Sequence, residues 1–272
     1  MHEATAILFP GQGSHHAGMD EPFATAPALR HGIGLLGYDP FARLTDGTGH
    51  QQPAIFLCSM AAWEQRRDEL APVAAAGHSL GEYAALTAAG ALQFEDALRL
   101  VAERAAAMAD AAARRPGGMT AMLGGDPQAV RALADDHGLV VANDNAPGQL
   151  VLAGPLEELD RAEAAARERT GARPRRLDVA GAFHSPLMAP AAERLAEALQ
   201  RTPVAEPRFP VYSNATAAPF SDIRRELAEN LLAPVRWRAT LLALRAAGAE
   251  SFDEIGPGDA LRGMVRRTLE AA

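Results

Sequence analysis

The sequence predicts a mixed α/β protein in which a small βαββαβ unit is inserted into a larger α/β unit. Three observations carry this. Short apolar runs stop at proline or glycine and lead into stretches with helical spacing, beginning with Ala4–Phe9 before Pro10-Gly11. Pro116-Gly117-Gly118 breaks an Ala-rich helical region, and the pattern beyond it changes to short strands alternating with helices. At 272 residues the chain is long for one core and short for two ordinary ones, which suits a large domain carrying a small insert.

Taken in order, Ala4–Phe9 reads as a buried strand closed by a tight loop. Gln52–Glu69 has helical spacing, and Val73–Ala76 is a strand leading into Gly77-His78-Ser79-Leu80-Gly81. Glu82–Ala89 is a helix closed by Gly90, and Phe94–Ala113 is a second, Ala-rich helix. After the break come strand Met119–Leu123, helix Pro127–Asp136, strand Leu139–Asn143, a turn at Asn145-Ala146-Pro147-Gly148, strand Gln149–Ala153, helix Leu156–Arg169 and strand Arg175–Val179. This order is the ferredoxin-like pattern. The insert is bounded at 118–183, and the larger unit comprises 1–117 and 184–272. In its second part, Val211–Ser213 and Ser251–Glu254 read as strands, Asp222–Leu232 and Arg238–Ala247 as helices.

Composition narrows the function. Hydrophobic residues are 48% and charged residues 22%, which excludes a wholly disordered, collagen-like or coiled-coil chain. The net charge of −8 argues against a nucleic-acid binder, because phosphate recognition needs a basic surface. All 26 basic residues are Arg, which serves carboxylate recognition better than Lys. The single cysteine, Cys58, excludes an intrachain disulfide or a multi-Cys metal site, and its apolar context predicts inert core. No metal site is expected. Met1–Pro10 lacks a basic leader, and no apolar run approaches membrane-spanning length. The expectation is a cytoplasmic protein with no membrane partner.

Gly77-His78-Ser79-Leu80-Gly81, between a strand and a helix, has the form of a nucleophile elbow. Ser79 would sit at a helix N-terminus, where free N–H groups can stabilise a developing oxyanion. The alternative is that Ser79 only caps the helix. A serine nucleophile needs a base. Of the histidines, His2, His31, His50 and His137 lie in polar or terminal contexts and are expected on the surface, and His78 is expected to point away from the serine. His184, in Gly181-Ala182-Phe183-His184-Ser185-Pro186, is the best candidate, since it follows the insert's last strand among small residues.

Six motifs then occur in one order: FPGQGS (Phe9–Ser14), GHSLGEYAAL (Gly77–Leu86), NAPGQLVLAG (Asn145–Gly154), GAFHSP (Gly181–Pro186), PVRW (Pro234–Trp237) and EIGPG (Glu254–Gly258). Together the chain resembles the malonyl-CoA:acyl-carrier-protein transacylase family, including the acyltransferase domains of polyketide synthases, from about residue 6 to residue 268. The resemblance implies an α/β-hydrolase-like large domain with the ferredoxin-like subdomain. It implies Ser79 as the acylated nucleophile, His184 as general base, and a backbone carbonyl at Arg236 in place of a third acid. The backbone N–H groups of Gln12 and Leu80 would form the oxyanion hole. Arg104, four residues before Met108, would grip the malonyl carboxylate with its planar fork. Phe183 and Asn145 would line the substrate pocket, Phe183 favouring malonyl over methylmalonyl.

The implied activity is malonyl transfer from malonyl-CoA to the phosphopantetheine thiol of an acyl-carrier protein, without a further cofactor, by a monomer. A serine hydrolase or editing thioesterase, and a non-catalytic assembly subunit, are the alternatives. Acyl-carrier proteins are acidic, so docking calls for a local basic patch; Arg173, Arg175 and Arg176, with Arg114 and Arg115 near the hinge, are the candidates. Two departures from the family pattern stand out. His15, followed by His16, replaces the usual Gln after FPGQGS, and the segment Gly32–Gly49 is short and Gly-rich where longer helices are usual. Asn214-Ala215-Thr216 fits a glycosylation sequon, expected to be a chance match.

Overall fold

Alternate residues of the first strand face two different cores. β1 (Thr5–Phe9) places Ile7 and Phe9 in one apolar cluster, Ala6 and Leu8 in another. β2 (Ala74–Gly77) does the same with Ala75 against Ala74 and Ala76. A strand buried on both faces has no polar side to show, which is why Ala4–Phe9 reads as an unbroken apolar run. The computed structural model describes residues 4–272; His2 lies outside the described residues.

The first core is closed by α1 (Pro27–Leu36), α2 (Thr48–Arg66), α3 (Gly81–Ala88), α4 (Phe94–Arg114) and α7 (Ala189–Gln200). The second is closed by α9 (Trp237–Ala246) and α10 (Ala260–Glu270), through Trp237, Leu241, Leu244 and Leu261. Between them β7 (Val211–Tyr212), β2, β1 and β8 (Ser251–Glu254) form a parallel sheet in that order. In register, Phe9 pairs with Gly77 and Leu8 with Glu254. Four loops therefore leave the carboxyl ends of adjacent strands: FPGQGS after β1, GHSLG after β2, Ser213-Asn214 after β7 and EIGPG after β8. That edge is where open α/β sheets place ligands.

The βαββαβ segment comprises β3 (Gly118–Leu123), α5 (Pro127–Asp136), β4 (Val140–Ala146), β5 (Gln149–Gly154), α6 (Leu156–Thr170) and β6 (Arg173–Arg176). Its strands form an antiparallel sheet, β4-β5-β3-β6, with α5 and α6 packed through Leu133, Val130 and Leu159. The turn at Pro147-Gly148 joins β4 to β5, with Gly148 at φ 68°. β4 meets the rest of the chain where Asn143 bridges to Val235, just before α9, with Val235 N–H donating to the Ala142 carbonyl and Asp144 N–H to that of Val235.

Several expectations shift. The last strand of the insert is Arg173–Arg176, not Arg175–Val179. It lies at the sheet edge, where Pro174 forfeits no ladder bond and charged side chains are tolerated. The Gly32–Gly49 segment is not an open loop: it holds the end of α1 and a short 3₁₀ stretch, Phe41–Asp46. Gly32 lets α1 press on α2, since a Cβ there would lie 2.1 Å from Leu57. α8 (Ile223–Glu229) is shorter than the Asp222–Leu232 expected, with Asp222 capping it. Among the described residues no helix is long and apolar enough to cross a membrane.

Candidate active site

The corner after β2 is shaped by close backbone approach. A Cβ on Gly77 would stand 1.8 Å from the carbonyl carbon of Gly81, and one on Gly81 would stand 2.2 Å from the Phe9 carbonyl oxygen. A Cβ on Gly11 would lie 2.3 Å from the His78 carbonyl oxygen. The glycines are thus required by space, and the left-handed conformation falls on Ser79 itself, at φ 51°. His184 is also left-handed, at φ 56°. Each such non-glycine residue costs about 1–2 kcal/mol, so both side chains are held on strained backbone.

The strain brings the pair together. Ser79 Oγ lies 2.7 Å from His184 Nε2. His184 Nδ1 lies 2.8 Å from the Asn230 carbonyl oxygen and 3.1 Å from that of Ala233. A carbonyl can only accept, so Nδ1 carries the proton and Nε2 presents its lone pair to the serine. This corrects the expected partner: the Arg236 carbonyl caps α9 by accepting from Thr240 and does not hold the imidazole. Burial, with the Arg104 cation as a second cause, pushes the His184 pKa down to about 3, against the opposing pull of the two carbonyls. The imidazole is therefore neutral at neutral pH.

Arg104 is not a solvated helix residue. It is 2% exposed, donates through one Nη to Ser79 Oγ at 2.9 Å and through the other to Gln52 Oε1, and lies 5.9 Å over the Tyr83 ring. Its Nε is buried without a partner. Burial pulls the guanidinium pKa below its ordinary value. A buried cation with an unused donor, touching the hydroxyl, is a ready partner for an incoming carboxylate.

Ser79, His184, Gln12, Asn145 and Phe183 line one cavity of about 140 Å³, together with Met264 of α10. Among the described residues the backbone N–H groups of Gln12 and Leu80 have no hydrogen-bond partner, whereas that of Ser79 donates to Asn214 Oδ1 at 2.6 Å. His78 points away from the serine as expected: its Nε2 is 2.8 Å from Asn145 Oδ1, and its ring meets Trp237 edge-on. Burial lowers its pKa, so it is a neutral link between the two sheets. His15 and His16 line a neighbouring cavity of about 730 Å³, which shares Gln12 with the first. His31 is exposed and bonded to Glu95, while His50 and His137 are half-buried.

Several participants carried no separate signal in the sequence. Gln52 fixes Arg104, and Asn214 takes the Ser79 N–H while donating to the Gly77 carbonyl at 2.7 Å. With both ends of its amide engaged and 1% exposure, Asn214 is closed to glycosylation in the folded chain. Glu82, an acid inside an otherwise apolar helix, was the one visible hint of a buried polar layer below the site. Cys58 is the inert core residue expected: it is buried, donates to the Met19 carbonyl, and burial pushes its thiol pKa up.

A left-handed serine at a strand–helix corner, bonded to a neutral buried imidazole, is the arrangement that α/β enzymes moving acyl groups through a serine require. Comparison with known proteins narrows this. The acyl transferase domain family matches residues 38–272. The malonyl CoA-acyl carrier protein transacylase of Bacillus subtilis is 38% identical over 96% of this chain and 89% of its own length. The polyketide biosynthesis protein ThaF of Burkholderia thailandensis is 41% identical over 97% of this chain, which spans only 24% of that longer protein. The crystal structure of a malonyl CoA-acyl carrier protein transacylase from Burkholderia pseudomallei superposes with a TM-score of 0.91 at 35% identity, covering 100% of this chain and 99% of the other. A complex of a type II polyketide-synthase acyl-carrier protein with its malonyl-transacylase matches at TM-score 0.91 and 35% identity, covering 98% of this chain and 94% of the other. The chain belongs to the acyl transferase domain family, within its malonyl CoA-acyl carrier protein transacylase branch.

Proposed function

We propose that this chain transfers a malonyl group from malonyl-CoA to the phosphopantetheine thiol of an acyl-carrier protein, through a malonyl ester on Ser79. The contact of buried Arg104 with Ser79 Oγ, beside His184, carries the reading. In the first half-reaction His184 Nε2 takes the Ser79 proton as Oγ attacks the thioester carbonyl. The Gln12 and Leu80 N–H groups bind the oxyanion. The C–S bond breaks, and the imidazolium returns its proton to the CoA thiolate. The second half-reaction is the reverse, with the carrier thiol as nucleophile.

Arg104 has a second effect. Pairing with the malonyl carboxylate draws its charge away from the imidazole, so the base strengthens when the correct substrate is bound. Phe183 and Asn145 shape the space around the malonyl α-carbon. We assign residues 118–183 as a ferredoxin-like subdomain and 1–117 with 184–272 as an α/β-hydrolase-like catalytic domain; the strand order β4-β5-β3-β6 supports the first assignment. The reaction needs no cofactor beyond its two substrates and is placed in the cytoplasm, carried out by a monomer.

Incubation with malonyl-CoA should add one malonyl group at Ser79, read by intact mass and peptide mapping, and Ser79→Ala should stay unlabelled. His184→Ala should slow labelling by about 10²–10⁴-fold. An adduct elsewhere, or none, rejects the mechanism; rapid hydrolysis in the absence of a carrier would identify a thioesterase instead.

A further inference from the structure

Below the reacting pair lies a carboxyl group that touches neither member. Glu82 is 2% exposed, on the first turn of α3. Its Oε1 accepts from the Asn214 backbone N–H at 2.7 Å and from Asn230 Nδ2 at 2.8 Å, and its Oε2 lies 3.0 Å from the same Nδ2. These two asparagines are the ones that hold the reacting groups. The Asn214 side chain takes the Ser79 N–H, and the Asn230 carbonyl takes His184 Nδ1–H. One carboxyl group therefore joins the nucleophile's peptide to the base's acceptor, from elements 132 and 148 residues away in sequence.

We propose that Glu82 is the positioning residue of this site, holding Ser79 and His184 in register through Asn214 and Asn230, and so supplying at one remove the orientation that a third acid would give directly. The inference rests on the Ser79–His184 reading above. Packing alone gives no reason for an acid here. Tyr83, Ala84, Ala85 and Leu86 on the same helix are all buried and apolar or aromatic, and a carboxylate removed from water without a contacting cation is costly. Arg104 of α4 attracts Glu82 only from a distance, and Glu226 of α8 repels it. Burial pushes the Glu82 carboxyl up to about 8, with the Asn214 and Asn230 donors pulling the other way. His184 faces Arg104 and His78, which both disfavour its cation. A folded-state pKa above the ordinary 4.5 means that stability is full below that value and is lost as pH rises through about 8. The residue thus weakens the fold on the alkaline side, as expected of a group kept for geometry.

The test is a double-mutant cycle on Ser79 labelling by malonyl-CoA, with thermal unfolding followed in parallel. Glu82→Gln keeps the shape, replaces one carboxyl oxygen by an amide NH2 that can only donate, and removes the charge that forms as pH rises through about 8. It should slow acylation about tenfold at unchanged KM for malonyl-CoA, and the slowing should vanish in the His184→Ala background, since coupled residues are not additive. Its Tm above pH 8 should equal or exceed that of the wild type. Equal slowing in both backgrounds, or no slowing, overturns the inference while leaving Ser79 acylation intact. Glu82→Asp keeps the carboxyl but withdraws it by one methylene, and decides the matter if the Gln variant does not fold. It should also acylate more slowly, and a wild-type rate overturns the proposal. Absence of any label on wild-type Ser79 rejects the parent reading and this inference with it.

Discussion

The two sheets build opposite walls of one cavity by different means. The parallel sheet fixes the reacting atoms through backbone: adjacent strand ends, glycines at contact distance, and left-handed Ser79 and His184 beside them. The antiparallel sheet contributes side chains: Met119 and Val151 face the cavity from β3 and β5, which pair in unbroken register, and Asn143 and Asn145 from β4, whose register with β5 shifts between Val141 and Asn143 and between Asp144 and Ala146. Its glycines also take positive φ: Gly124, Gly138, Gly148 and Gly171 serve turns where a Cβ meets nothing closer than ordinary contact, and Gly125 alone is crowded, with a Cβ 2.5 Å from the Thr170 carbonyl oxygen, and lies outside the cavity lining. Errors of chain path should therefore destroy chemistry on the first side and be absorbed on the second.

A matched pair of glycine substitutions tests this with the largest expected effect. Gly77→Ala drives a Cβ into the backbone of Gly81, which no side-chain rotation can relieve. We expect a loss of at least about 3 kcal/mol, at the upper end of overpacking costs, or failure to fold. Ser79 labelling in any folded fraction should fall below detection, because a displacement of about 1 Å costs on the order of 10²-fold by itself. Gly124→Ala, at φ 76° with nothing within 4 Å of the new Cβ, should cost only about 1–2 kcal/mol of backbone strain and leave labelling at the wild-type rate. Equal effects of the two on labelling would abolish the distinction between the walls.

The next test concerns the cation that serves the cavity from α4. Arg104→Ala leaves a malonyl carboxylate unpaired in a dry site, which should cost about 3–5 kcal/mol, or roughly 10²–10³-fold in kcat/KM. A neutral acetyl group escapes that penalty, so the malonyl-to-acetyl ratio of kcat/KM should collapse. Arg104→Lys should restore only part, because an ammonium lacks the two-pronged geometry. The same substitution removes a positive charge that disfavours the His184 cation, so the His184 pKa rises from its depressed value. The acid limb of the kcat/KM profile for acetyl-CoA should accordingly move up in pH in Arg104→Ala. An unchanged ratio together with an unmoved limb would separate Arg104 from both substrate and base.

These contrasts also explain what could be read from the sequence. Ser79 and His184 could be placed from local pattern, a strand–Gly-X-Ser-X-Gly–helix corner and a histidine among small residues, whereas Arg104 was placed only by the family resemblance, four residues before Met108. The carbonyl that holds His184 was not legible. Any peptide can offer one, and the path of the Asn230–Ala233 turn brings its carbonyls to the imidazole where the backbone carbonyl of Arg236 was expected. Asn214, Asn230 and Gln52 were hidden for a similar reason, since their roles exist only when distant elements meet. The βαββαβ order was legible from strand and turn chemistry, while its last strand was displaced because alternation in Leu177–Val179 competed with an edge that accepts Arg and Pro. α1 was obscured by the low helix propensity of Gly32 and Gly34, of which Gly32 packs against Leu57 and Leu98 and Gly34 is exposed.

The smallest expected effect lies on the outer edge of the antiparallel sheet, where an acidic carrier would have to approach a chain of net charge −8. The candidate patch divides into two kinds of arginine. Arg176 is half-buried and neutralised, with Asp160 at 2.7 Å and Glu163 at 2.6 Å, and its Nε also reaches Thr120. Arg173 and Arg175 are exposed on the edge strand, and among the described residues neither has an ion-pair partner; Arg114 and Arg115 are likewise exposed at the end of α4. Only the unpaired arginines can add to a carrier's attraction, so Arg173→Ala with Arg175→Ala should raise the carrier KM by about two- to fivefold per residue, the range of exposed charge pairs. Ser79 labelling by malonyl-CoA, which involves no carrier, should not change. Arg176→Ala should lower Tm by removing its bonds to Glu163, Asp160 and Thr120 and leave the carrier KM close to that of the wild type. Added salt should weaken carrier transfer more in the wild type than in the double variant, because screening removes an attraction the variant has already lost. Parallel salt dependence in the two proteins would move carrier docking off this edge and leave the antiparallel sheet with the cavity wall as its sole contribution to the reaction.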